Sequence, residues 1–549
     1  MKKISVSFNI KIALLMFVIG LASCQKFLEV SPKDQVTDIS LYESTENADL
    51  FLNNIYAGLQ GPFNGGDSEE NFTDNSMSSG GFAFSRSIYA NSEYNASNAP
   101  SYWEQYVNIR SCNLFIEKVT ASKLHDSWKK QRLAEARFLR AYFYQLLWTH
   151  YGGVPIITDV LNRHTQGDEI FRARNTDAET FKFITNECAV IVDDLPVQSE
   201  AGRATKGAAL TLKGWCELFD ASPLKNPSND KAKWALAAAT NKKVIDLAAY
   251  NLFPDYNTMF FEDNNNNTEV IFDKQYLGGT ALGGSREGLQ GPAFAGGAQL
   301  SYGGGPNPTQ ELVDEYAMSN GLPITDPASG YDPQNPYVNR EKRFYQSIVY
   351  DGSFWLGFEM VMKQGVGSKN ATDLSDRNDA VTRTGYYVRK GLNPKYAISG
   401  PNYLNSASFI IFRYAEVLLS YAEAQNEAIG PDASVYEAIN QVRYRSELSP
   451  LPEGLSIEQM RVAIHRERRV ELAFEEKYWY DLIRWKIAEK NLNGILHAMV
   501  IEEQNNKWVY KVIPAAGGSR IFHADKNYLY PIPQQAMDQN PKLVQNPNY

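Results

Sequence analysis

A chain of 549 residues with 43% hydrophobic and 21% charged content is long enough to bury a large core, as one big domain or two to three closely packed ones. Its formal net charge of −9 argues against nucleic acid as a partner. The four cysteines, Cys24, Cys112, Cys188 and Cys216, match no zinc or redox spacing.

Lys2 and Lys3 precede an apolar run from Ile10 to Ala22, broken by Lys11. This predicts a signal peptide over residues 1–23, too short and too early for a membrane span. It ends Leu21-Ala22-Ser23-Cys24, which resembles a bacterial lipobox. Small residues there admit the processing peptidase, and the Cys24 thiol then carries lipid. A Sec signal with an incidental cysteine is the plainer alternative. The three remaining cysteines are expected to be buried small hydrophobes.

A helix is predicted over 41–59, followed by a polar Gly/Ser/Asn-rich stretch, 61–100, that carries Phe82, Phe84, Tyr89 and Tyr94. A loop of that length is functional or disordered. Helices follow over 102–119, 128–151, 177–195, 205–221 and 230–249. Gly152-Gly153 and Pro155 stop the second of these, and Thr205 is placed to cap the fourth. Repeated antiparallel pairs of this size predict a divergent tetratricopeptide-like array, in which stacked pairs bury one continuous core.

Helical periodicity fades over 251–405, where Gly, Asn and Pro increase. The expected fold is mainly α: helical pairs as scaffold over 24–260 and 409–549, with an irregular, ligand-facing region of few short strands over 261–408. Strands are predicted at 269–273 and 345–350. Asp263-Asn264-Asn265-Asn266-Asn267, with Glu262 and Glu269 beside it, offers oxygens for a structural calcium. The glycine and distal glutamate of an EF-hand are missing, so a solvated turn is the other reading. No other metal and no cofactor is expected.

Helices are predicted again over 409–428 and 433–445. Ile457–Trp485 reads as one helix with Ile457, Met460, Ile464, Leu472, Tyr478, Trp479, Leu482 and Trp485 on one arc. Glu467, Arg468, Glu471 and Glu475 fall inside that arc. Buried charges need partners, so Arg413, Glu416, Arg468, Glu471 and Glu475 are expected to form a structural ion network. In it Arg468 reaches Glu471 on the next turn, and Glu416 and Glu423 meet Arg443 or Arg468. The tail, 528–549, is spaced by Pro531, Pro533, Pro541 and Pro547 and reads as an extended strap without helix.

Several blocks carry a resemblance. Val470-Glu471-Leu472-Ala473-Phe474-Glu475 with Trp479-x-Asp481-Leu482-x-Arg484-Trp485, the 135–141 and 413–424 segments, and the Gln545-Asn546-Pro547-Asn548-Tyr549 ending are similar to the SusD/RagB family of outer-membrane nutrient-binding lipoproteins. Glu476 stands where the family often has Gly, Tyr478 where it often has Arg, and Asn548 where Gly is commoner. The resemblance implies a protein lipid-anchored at the cell surface that binds oligosaccharide and hands it to a SusC-like TonB-dependent outer-membrane barrel. It implies no enzyme. The alternatives are a peptide-uptake relative and a surface glycoside hydrolase. There is no His-Glu-x-x-His, phosphate loop or Gly-x-Ser-x-Gly elbow. On one helix, Glu416 and Glu423 stand about 10.5 Å apart in rise, against roughly 5–9.5 Å for a glycosidase pair.

Sugar rings stack their C–H faces on exposed aromatic rings. Setting aside tryptophans on helical patterns leaves Trp355 and Trp508. Trp355, flanked by Gly352 and Gly357, is the leading ligand candidate, with Phe354, Tyr302, Phe82 and Tyr89. The other role open to Trp355 is a core anchor. By the resemblance, the early loop forms the opposite wall.

Overall fold

The computed structural model describes residues 42–61, 68–78, 88–278, 286–300, 305–371, 381–397 and 404–549. The signal peptide, Cys24, Phe82, Phe84 and Tyr302 lie outside the described residues.

The predicted N-terminal helices form as α1 (Thr45–Ala57), α2 (Gln105–Ala121), α3 (Asp126–Tyr151), α4 (Asp177–Ile191), α5 (Lys206–Ala221) and α6 (Lys231–Asp246). Their ends follow local chemistry. Thr205 accepts a bond from the Ala208 amide at 3.1 Å, and α3 stops where Gly152 turns left-handed at φ 73°, a conformation that costs glycine little. Cys112, Cys188 and Cys216 are buried and unpaired inside this array.

From α2 to α6 each helix packs on the next, and the stack then continues onto α7 (Tyr414–Ile429), α8 (Ala433–Arg445) and α9 (Ile457–Glu471). Helix α6 packs directly on α7 although residues 247–413 lie between them. The loop-rich region is therefore an insert in a continuous helical array. Its base is closed by an antiparallel ladder of β1 (Val270–Lys274) with Phe409–Arg413. Inside it, β2 (Phe294–Ala295) pairs with β3 (Ala298–Gln299), and β4 (Phe354–Trp355) pairs with β5 (Phe358–Glu359). The insert has its own apolar core, built around Tyr316, Phe344, Trp355, Tyr386 and Tyr387.

Four local expectations are corrected. Phe409–Arg413 is strand β6, not the start of a helix; its run of aromatic and β-branched residues suits a ladder. Within 345–350, only Ile348–Val349 is strand, because Lys342–Ser347 is helical. The 457–485 segment is two helices, α9 and α10 (Tyr478–Arg484), separated by left-handed Phe474 (φ 62°) and Glu476 (φ 58°). No Gly or Pro marks that break. Donors from the insert stabilise it instead: Lys390 Nζ reaches the Glu471 and Ala473 carbonyls at 2.9 and 2.8 Å, and the Tyr256 hydroxyl donates to the Glu471 carbonyl at 2.9 Å. Last, the tail is a strap but includes a short helix, α11 (Gln534–Gln539), since a proline just before a helix start removes no internal bond.

The longest of the elements not foreseen is a hairpin. Strands β7 (Gly494–Gln504) and β8 (Lys507–Arg520) form a long antiparallel hairpin, turned by Asn505 and Asn506 at φ 53° and 59°. Two left-handed turn residues match the twist of the flanking strands. Met499 and Ile501 join this hairpin to the core of the insert.

Candidate functional site

The expected ion network resolves into three groups. The largest sits where α9 ends against the base of the insert. Arg413, 1% exposed, donates from Nε to Glu475 at 2.6 Å and from Nη1 to Glu269 and Glu471 at 2.7 Å each. Arg343 reaches Glu467 at 2.6 Å and Glu471 at 2.9 Å. Arg445 bonds Glu269 and Glu471 as well, and Lys390 bonds Glu475 at 2.5 Å. Burial pushes the Glu471 carboxyl up, but Arg445, Arg413 and Arg343 outweigh it and hold the group well below the usual carboxylate range. Burial lowers the Lys390 ammonium to about 8 against the pull of Glu475.

Arg468 does not meet Glu471. It donates to Asp481 at 3.1 Å and to Ser420 Oγ at 3.0 Å, because its side chain points across to α10 and α7. Arg484 grips Glu423 with two bonds of 2.6 Å, and the Trp485 indole adds a third at 2.7 Å. Burial raises the Glu423 carboxyl, and Arg484 overrides it, holding it at about 2. Glu416 pairs with neither arginine; Lys477 Nζ lies 2.9 Å from it. Sequence reasoning missed Glu269, Arg343, Arg445 and Lys390. Each comes from an element distant in sequence, so no local spacing pointed to them.

The two departures at 476 and 478 are both packed. Tyr478 is buried with the Arg469 guanidinium 4.6 Å from its ring centroid. Half-buried Glu476 accepts from Ser68 Oγ at 2.6 Å and from the Glu69 amide at 3.0 Å. Glu70 accepts from Asn75 Nδ2 at 2.8 Å, and Glu69 lies 2.7 Å from His150 Nε2. Three carboxylates thus crowd together with few cations. Burial and the neighbouring Glu70 push the Glu476 carboxyl up to about 8, and burial pushes Glu70 up to about 7.

Three exposed aromatic rings, Phe354, Phe358 and Trp508, lie on hairpins, whereas exposed Tyr444 lies on α8. Leu356 and Gly357, at φ 53° and 81°, form the two-residue turn between β4 and β5. Side chains alternate across a strand, and here Phe354 is 61% exposed while Trp355 is 2% exposed. The expectation of an exposed Trp355 is therefore corrected: its indole is a core anchor, packed with the Tyr387 and Phe344 cluster. Phe358, 49% exposed, lies over the β2–β3 turn, where a Cβ on Gly296 would come within 2.5 Å of its ring. Arg389 donates from Nη1 to the Phe354 carbonyl at 3.2 Å and stands 5.9 Å from the Trp355 ring centroid. At the β7–β8 tip, Trp508 is 36% exposed. Lys363 lies 5.6 Å from its ring centroid and 3.3 Å from Asp351. Asp351 also accepts from the Met362 amide at 2.9 Å across the β4–β5 base and from the Tyr510 hydroxyl of β8 at 3.4 Å, which ties that base to the long hairpin. Beneath sits a platform of rings, with Tyr337 and Tyr350 centroids 4.6 Å apart and Phe344 and Tyr350 5.0 Å apart.

Tyr89 is elsewhere. Half-buried, it packs edge-on against Phe72 at 5.3 Å and Tyr94 at 6.2 Å, beside the core of the helical array. In the Asn-rich turn, Asn265 bonds the Ser406 carbonyl and the Ser408 amide. Asn267 bonds the Met259 and Asn264 carbonyls, and Glu269 faces Arg413 and Arg445. Among the described residues no group of three His, Cys, Asp or Glu side chains is arranged to hold a metal ion.

Residues 268–549 match the family model described as the SusD family, and residues 26–213 match one described as starch-binding associating with outer membrane. A SusD-like protein of Bacteroides ovatus is 27% identical over 72% of this chain and 64% of its own length. SusD-like protein P38 of Formosa agariphila is 24% identical over 91% of this chain and 95% of its own. Among solved structures, a SusD-like protein of Bacteroides fragilis superposes with a TM-score of 0.78 at 28% identity, covering 94% of this chain and all (100%) of that one. A SusD-like carbohydrate-binding protein of the same species gives 0.76 at 26% identity, covering 92% and 100%.

Proposed function

Given that this chain belongs to the SusD family, a family associated with carbohydrate binding and the outer membrane, we propose that it is a cell-surface lipoprotein. It binds oligosaccharide and delivers it to a SusC-like TonB-dependent transporter. The observation that supports the ligand site best is the exposure of Phe354, Phe358 and Trp508 on hairpins anchored to a rigid aromatic platform. Flat apolar faces beside Arg389 and Lys363 suit a ligand with C–H faces and many hydroxyls. Lipid on Cys24 supplies the tether, and three acyl chains hold far more firmly than one.

Isothermal titration of oligosaccharides into wild type and Phe354→Ala tests the ligand site; unchanged affinity removes it. Peptide binding without glycan binding would replace the ligand class. Turnover of labelled oligosaccharide by purified protein would make it a hydrolase. Cys24→Ala should release the folded protein from membrane fractions, and retention there would sink the lipid anchor. Co-purification of a TonB-dependent barrel with the tagged lipoprotein tests the partner.

A further inference from the structure

A groove of about 610 Å3 opens at the start of α2, far in sequence from the insert and its hairpins. Its walls are α2 with Trp103 just before it, the 155–172 segment, and the strap with α11. That volume lies within the ~300–1,000 Å3 of small-molecule sites. The floor is apolar, drawn from Trp103, Val107, Ile157, Leu161, Ile170 and Leu543. Val107 is 68% exposed, and Trp103 is half-buried with its ring centroid 5.1 Å from Tyr106 and 5.2 Å from Tyr151. Val107 stands four residues beyond Trp103, about one helical turn, and both line the groove.

Bonding groups line the rim. Gln535 and Gln539 stand one turn apart on α11, exposed to solvent, and neither carboxamide has a hydrogen-bond partner among the described residues. Across from them, Arg110 spends Nη1 on the Leu161 carbonyl at 2.8 Å and keeps its other donors. Arg172 lies 3.4 Å from Asp159, and Glu104 on the same wall offsets the charge of Arg110.

We propose that this groove is a second glycan-binding site, separate from the hairpin site, that takes a short neutral oligosaccharide. A sugar ring needs an apolar face beneath it and planar donors and acceptors at its edge. The Trp103–Val107 pair and the two carboxamides offer both. An anionic ligand would gain no net attraction, because Glu104 and Asp159 balance Arg110 and Arg172 in the lining. A peptide adding as a strand would need a free sheet edge, and the walls here are helix and strap. The ligand class is the one proposed for the hairpins, so the choice of ligand rests on that reading while the place does not.

A neutral-glycan array, read with a peptide array in parallel, separates the two sites. It compares wild type, a groove variant (Val107→Arg with Gln535→Ala and Gln539→Ala) and a hairpin variant (Phe354→Ala with Phe358→Ala). All five positions are exposed, and thermal melts check that each variant folds. The hairpin variant should keep a subset of neutral-glycan signals that the groove variant loses by tenfold or more. A groove variant with wild-type glycan binding overturns the second site and leaves the hairpin site standing. Peptide signals that only the groove variant loses would make the groove a peptide site and overturn it equally. A wild type that binds no neutral glycan overturns both sites.

Discussion

Glu475 and Glu476 are neighbours in the chain and opposites in the fold. Glu475 faces the base of the insert, where Arg413 and Lys390 bond it. Burial raises its carboxyl, and those cations bring it below its ordinary value. Glu476 faces the 68–78 segment, where its neighbours are Glu69 and Glu70 and its pKa is pushed up to about 8. A left-handed turn at Phe474 and Glu476 sends the two side chains in different directions. The difference teaches that a run of charges in sequence carries no sign of its cost. Partners drawn from the far side of the chain decide whether a buried carboxylate stabilises the fold or strains it.

Removing a cation from the saturated side should do the most damage. Arg413→Ala leaves Glu269, Glu471 and Glu475 short of bonds they now make with it. Each keeps another cation, Arg445 on Glu269 and Glu471 and Lys390 on Glu475. The network is nonetheless left one buried negative charge in excess, so the loss should be about 3–5 kcal/mol, the range for a broken buried pair. Chemical denaturation measures it, and a loss under about 1 kcal/mol would mean that water reaches this network. Arg468→Ala should cost less, because it removes bonds to Asp481 and Ser420 but not to Glu471, and Asp481 keeps the 2.8 Å bond from Arg484.

Trp355→Ala comes next. Emptying a site this well buried costs roughly 3–5 kcal/mol, because the ring packs within the core of the insert. The denaturation midpoint should fall while the helical array, which has its own core, keeps its far-UV signal longest. An unchanged midpoint would place Trp355 at the surface after all.

The helices were largely legible because caps, Gly-Pro stops and 3.6-residue patterns are local signals. Thr205 and Gly152 did what their types predict. What escaped was set by distant partners. The break after Glu471 depends on Lys390 and Tyr256 donating to freed carbonyls. The continuity of α6 with α7 crosses the whole insert. The β7–β8 hairpin had a local cue in Asn505-Asn506, a pair suited to left-handed turns. At the proposed ligand face, Leu356-Gly357 between aromatic residues marked a hairpin. It put Phe354 and Trp355 on opposite faces without saying which face was inside.

A change of pH should separate the two carboxylate groups with a smaller effect. Glu476 binds its proton more tightly folded (about 8) than unfolded (4.5). The stability conferred by that proton is fully present below pH 4.5 and is lost as pH rises through about 8. Glu423 runs the other way: with a folded value of about 2 against 4.5, its contribution is present above pH 4.5 and lost as pH falls through 2. Glu476→Gln keeps an acceptor for Ser68 and removes the charge. Its melting temperature should match wild type near pH 5 and exceed it near pH 9. Parallel melting curves for the two proteins across that range would show that Glu476 is ionised in the fold.

The smallest stability change should come with a large functional one. Phe354 is next to Trp355 in sequence but faces solvent, so Phe354→Ala should alter stability by no more than about 0.5 kcal/mol. A ring that stacks on a ligand is worth about 0.5–1.5 kcal/mol beyond the area it covers, and each 1.4 kcal/mol is tenfold in Kd. Phe354→Ala and Phe358→Ala should therefore each weaken oligosaccharide binding by about tenfold, with Phe358→Ala costing slightly more stability because its ring covers Gly296. Titration and melting on the same samples give both quantities. If binding holds in both variants, the hairpin face is not the ligand face. If stability collapses with Phe354→Ala, that ring is buried in solution, and the division of labour between positions 354 and 355 is the reverse of the one described.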